Sequence, residues 1–110
     1  MKTAEDTELA TTLRLSAQRA LLGCVPPTLR AVSVAASEQC IHFRCYFAGP
    51  ASDDDKELLS GAAAAIVADF SDPWTISEEY LELSIPEPMC HLEHLVYLRH
   101  ESSTTSPDVA

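Results

Sequence analysis

The run LRAVSVAASEQCIHFRCYFAGPASDDDKELLSGAAAAIVADF, Leu29 to Phe70, decides the fold. Its middle, Cys40 to Ala48, alternates cleanly: Ile41, Phe43, Cys45 and Phe47 share one face, and His42, Arg44 and Tyr46 share the other. That period of two predicts a half-buried strand. Leu29 to Val34 reads as a strand before it, with Val32 and Val34 facing the core, and Ala36 to Gln39 as a polar connection without an Asn-Gly or Asp-Gly signal. Gly49-Pro50 then breaks the pattern. Ser52 followed by Asp53, Asp54 and Asp55 is a helix start, with a capping hydroxyl and carboxylates at the positive end of the dipole. Leu58, Leu59, Ala62, Ala63, Ile66, Val67 and Phe70 continue it as one apolar stripe. Gly61 inside this stripe is open between close packing and mere tolerance.

Working outward, Leu9, Leu13, Ala17 and Leu21 recur every fourth residue and predict a helix from Thr7 to about Leu22, capped by Asp6 or Thr7. Gly23 suits its C-terminal turn, and Pro26-Pro27 forbid continuation. After Ser71-Asp72-Pro73 a third strand is expected over Ile76 to Ile85, with Leu81, Leu83 and Ile85 inward and Glu78, Tyr80 and Glu82 outward. A fourth is expected from His94 to about His100, with Val96 and Leu98 inward and Tyr97 and Arg99 outward, the opposite register remaining open. The order α-β-β-α-β-β gives an α+β fold: a four-stranded, mostly antiparallel sheet with two helices on one face, its other face open. The 110 residues suit a single domain with an ordered core over 7–101 and loose termini. Strand order is not fixed by these patterns.

Composition narrows the function. Seventeen acids against seven Lys and Arg leave a net charge of −10, which opposes nucleic acid as a partner and draws in a basic protein. The longest apolar run falls short of the roughly 18 residues of a membrane span, and Met1 to Asp6 has no leader-like core, so cytoplasm and no membrane partner are expected. The chain has three glycines and no phosphate loop, and no nucleophile elbow occurs. Cys24, Cys40, Cys45 and Cys90 lack paired spacing. Cys90, His91 and His94 crowd one segment without the second cluster that a closed metal site needs. No catalytic residue, cofactor or metal is therefore assigned.

A segregation of aromatics supplies the candidate surface. In the phases above, Phe43, Phe47 and Phe70 point into the core, while Tyr46, Tyr80 and Tyr97 stand on the open face among Arg44, Arg99, Glu78 and Glu82. Tyrosine and arginine together are enriched at protein interfaces. The acidic helix start, Asp53, Asp54 and Asp55, is the second candidate contact.

Three strings carry a resemblance: Arg19 to Val32 (RALLGCVPPTLRAV), Ile66 to Phe70 (IVADF) and Leu95 to Glu101 (LVYLRHE). They resemble small bacterial proteins of about a hundred residues, similar to immunity-type proteins of contact-dependent inhibition and related toxin systems. The resemblance implies an immunity-type protein and supplies no site residues; with the acidic charge, the segregated tyrosines and the lack of a catalytic motif, it gives the expectation of a non-enzymatic acidic protein that neutralises a cognate toxin by direct binding. The alternatives are a homodimer formed through the open sheet face, or a small metal-binding protein using Cys90, His91 and His94.

Overall fold

The computed structural model describes residues 4–101. Its elements run α1 (Ala4–Ala20), β1 (Leu29–Ser37), β2 (Cys40–Phe47), α2 (Asp53–Ala68), β3 (Thr75–Glu82) and β4 (His94–Leu98). All six occur in the expected order. Met1–Thr3 and Ser102–Ala110, expected to be loose, lie outside the described residues. Helix α1 begins at Ala4, so Asp6 and Thr7 lie within the helix rather than capping it. It is followed by a turn in which Gly23 takes a φ of +78°, a conformation that glycine reaches without strain.

Helix α2 starts where its sequence says. The Ser52 hydroxyl accepts the Asp55 N–H at 3.0 Å, which satisfies one of the free donors of the first turn. Leu59, Ala62, Ala63 and Ile66 are buried, and Val67 and Phe70 pack against them. Leu58, at the margin of the stripe, is exposed. Gly61 is exposed too, and a Cβ there would meet nothing within 4 Å, so close packing does not explain it.

The four strands form one sheet in the order β3-β2-β1-β4. The β1–β2 and β1–β4 ladders are antiparallel, whereas β2–β3 is parallel. The sheet is therefore mixed, not mostly antiparallel. The reason is α2: a single helix carries the chain back to the start of β2, so the next strand must run in the same direction. The β1–β2 hairpin closes through Glu38 and Gln39 alone, both with positive φ (51° and 61°), a left-handed pair normally made by Asn-Gly.

Register assigns the faces. Val32 pairs with Cys45, Val34 with Phe43 and Ala36 with Ile41. These residues join Leu13, Ala17 and Leu21 of α1 and the buried side of α2 in one apolar cluster. Two strand phases differ from the sequence reading. In β3, Tyr80 pairs with Cys45 and Glu78 with Phe43, so Glu78, Tyr80 and Glu82 stand on the core side and Leu81, opposite Tyr46, on the other. In β4, a bulge between the pairs Val32–Tyr97 and Ser33–Leu95 lets Val96 and Tyr97 both pack against the core, leaving Leu98 opposite Ala31 on the second face. Leu83 and Ile85 lie beyond the end of β3.

The second face is not open. Because β3 and β4 occupy opposite edges, the connection between them, residues 83–93, crosses that face as a strap. The Tyr46 hydroxyl accepts the Cys90 N–H at 3.0 Å and donates to the Cys90 carbonyl at 2.9 Å. Arg44 donates to the same carbonyl at 2.7 Å, and Ser33 accepts the Leu92 N–H at 2.9 Å. Tyr46 is consequently only 7% exposed. No helix among the described residues is long and apolar enough to cross a membrane.

Candidate functional site

The expected tyrosine face does not form. Tyr46 is spent on the strap, where its ring and that of His91 stand nearly perpendicular with centroids 6.0 Å apart. Tyr97 packs against the core. Arg44 bonds Glu79 at 2.7 Å as well as the Cys90 carbonyl, and the Glu79 carboxylate raises the guanidinium's pKa. These residues hold the fold together instead of presenting a common surface.

The structure brings two other candidates together. The first turns of α2 and the core side of β3 line a shallow depression of about 360 Å³, made by Asp53, Lys56, Glu57, Ser60, Glu78 and Tyr80. Asp53 comes from the acidic helix start, and Glu78 and Tyr80 from the strand. Helical spacing puts Glu57 one turn beyond Asp53. The phase of β3 that places Tyr80 away from Tyr46 is the same phase that turns Glu78 toward the helix. Tyr80 donates to the Glu78 carboxylate at 2.5 Å, and partial burial together with that bond raises the phenol's pKa above its ordinary value. Glu82 follows on the same side of the strand, opposite Phe47. Asp54 and Asp55 continue the acidic turn, but neither lines the depression.

Chemically this is an acceptor surface. Asp53, Glu57 and Glu78 face it with one cation, Lys56. Carboxylates in that arrangement pair with Lys or Arg of a partner. Among the described residues no group of three or more His, Cys, Asp or Glu gathers as a metal site. Cys90 is exposed, and His94 lies 3.6 Å from its neighbour Glu93. Cys45 is buried, and burial pushes its thiol far above the ordinary range, away from nucleophilic use. Glu57, Lys56 and Ser60 join the depression without a motif in the sequence to single them out. The i, i+4 relation of Asp53 and Glu57 was the available signal.

The three resemblance-bearing strings turn out to be joined to one another. Arg19 of the first pairs with Asp69 of the second at 2.7 Å, and Ser16 donates to the same carboxylate at 2.6 Å; the hydroxyl bond first, then the guanidinium, lowers its pKa. Arg30, at a bulge of β1 and 2% exposed, grips Glu101 of the third through Nε at 2.8 Å and Nη2 at 3.1 Å. It also donates to the Leu83 carbonyl at 2.8 Å, which ties down the start of the strap. Arg99 approaches Glu101 at 3.4 Å and donates to the Pro27 carbonyl at 2.7 Å. These strings are thus fasteners of the fold.

A comparison with curated proteins gives no match. A family model described as MafI2 immunity protein matches residues 10–101, a span that includes every strand, all of α2 and the three fastened strings. The chain belongs to the MafI2 immunity protein family.

Proposed function

We propose that this chain is a non-enzymatic, single-domain cytoplasmic protein that neutralises a basic toxin by direct binding. In this reading the helices cover one face of the sheet, and the acidic ground between α2 and β3 meets the toxin. The family supports the toxin partner. The observation that carries the surface is the convergence of Asp53, Glu57 and Glu78 on one depression, in a chain whose net charge is −10. An inhibitor must capture its target before damage is done, and complementary charge raises association rates more than it raises affinity.

The test is stopped-flow mixing with the toxin domain encoded beside this gene, over a range of ionic strength. The wild type should associate fast and lose speed steeply with salt. Asp53→Asn, Glu57→Gln and Glu78→Gln combined should slow association about tenfold at low salt, with dissociation little changed. A rate indifferent to salt and to these substitutions refutes the surface. Failure of the wild type to bind refutes the function.

A further inference from the structure

Strand β3 is an outer strand, laddered to β2 alone. Two hydrogen bonds bracket that ladder: Thr75 N–H to the Gln39 carbonyl at 3.0 Å, and Leu83 N–H to the Phe47 carbonyl at 2.8 Å. Both donors are odd-numbered. The backbone groups of Ser77, Glu79 and Leu81 therefore turn toward β2, and those of Ile76, Glu78, Tyr80 and Glu82 turn outward. Such a row is a template for another strand. It runs between two depressions. One is the acidic ground already described. The other, about 280 Å³, lies against the strap and is lined in part by His42, Arg44, Ser77 and Glu79. Glu78 lines both.

The charges select the occupant. Two copies of this edge would set Glu78, Glu79 and Glu82 against themselves, and like charges directly opposite are destabilising. A basic strand meets the reverse situation. Glu79 is already held by Arg44, so the stronger pull is on the α2 side, from Asp53, Glu57 and Glu78. The opposite edge, β4, has no acid between His94 and Leu98 and offers no such discrimination.

We propose that the outer edge of β3 takes an extended segment of the toxin as a fifth strand, with Lys or Arg at every second position facing α2. This rests on the toxin-binding reading above. Main-chain bonds along the edge hold the segment, and the alternation of its side chains gives selectivity.

Amide hydrogen exchange on the complex with the toxin domain encoded beside the gene tests it directly. The outward amides of Glu78 and Tyr80 should slow at least about tenfold on binding, while those of Ser77 and Glu79, bonded to β2, change little. In parallel, Glu78→Gln should weaken binding a few-fold, and Glu78→Pro about tenfold more, because proline removes the outward donor yet is tolerated on an edge. Leu98→Lys, on the opposite edge strand, should leave binding unchanged. A saturated complex in which the outward amides exchange as freely as before overturns strand addition and leaves toxin binding standing. Protection that instead appears with rising concentration of this chain alone assigns the edge to a second copy and also overturns it. No complex at all removes both readings together.

Discussion

Replacing Glu101 by alanine strips the Arg30 guanidinium of its counter-charge while leaving it 2% exposed against the Leu83 and Ser84 carbonyls. Removing one partner of a buried ion pair costs about 3–5 kcal/mol, because the other charge stays behind uncompensated. The Glu101 side chain is 19% exposed, so water reaches the gap and the expected loss is near the lower end. For a domain of about a hundred residues, roughly 3 kcal/mol corresponds to a fall in Tm of about 12–20 °C. Thermal and urea unfolding at pH 7 measure it, with an unchanged urea slope showing that the unfolded state is the same. The pH dependence provides a second check. The hydrogen bond from Arg30 holds the Glu101 carboxyl below the usual carboxylate range in the folded protein. A depressed folded pKa stabilises above the unfolded value, about 4.3, and that stabilisation is lost as pH falls through the folded one. The gap between wild type and Glu101→Ala should therefore close in acid. Adding Arg30→Met to the variant should recover part of the loss, since the stranded charge is then gone. A fall of only a few degrees at pH 7, or a gap that persists down to about pH 2, refutes the argument.

Three further outcomes are expected. Gly61→Ala should stabilise the protein by about 0.5–1 kcal/mol in urea titration, since the position is helical, exposed and free of neighbours that a Cβ would strike. Tyr46→Phe removes both bonds to Cys90, and the amide of Cys90, left without its acceptor, should then exchange faster by about tenfold, with a loss of about 1–2 kcal/mol in global stability. With a thiol reagent under native conditions, the exposed Cys90 should react first, and the buried Cys45 only at the rate of unfolding.

The parts of the fold that could be read from sequence were those with a strong local period. Strand β2 is covered on one face by the core, so its alternation is unambiguous. Helix α2 combines a capping Ser52 with a four-turn stripe. The phase of β3 was hidden because it is an edge strand, where both sides are half buried: Ile76 and Tyr80 pack toward the core and Leu81 toward the strap. Leu81, Leu83 and Ile85 alternate convincingly, yet only Leu81 belongs to the strand. In β4 the bulge at Val96 and Tyr97 breaks the period of two, and no turn or glycine announces it. The parallel β2–β3 ladder was deducible, because one helix running back between two strands leaves both strands pointing the same way. The strap could not be foreseen from any period. It is irregular chain held by Tyr46, Arg44 and Ser33, whose partners are backbone groups without sequence identity. The same two phase shifts decided the candidate site: they dissolved the tyrosine face and moved Glu78 beside the acidic helix start.

The place of β1 in the sheet has a consequence for how the chain assembles. This strand sits between β2, its immediate successor, and β4, the last strand in the chain. One side of β1 can be satisfied by a local hairpin as soon as Phe47 has been made. The other side must wait for α2, β3 and the strap. During synthesis, about 5–20 residues per second, the Val32 and Ser33 side of the hairpin stays unpaired for several seconds. In that interval it is an exposed strand edge. Closure by β4, fastened through Glu101 onto Arg30 across 71 residues, is then the late, non-local step that turns a nascent hairpin into a complete sheet.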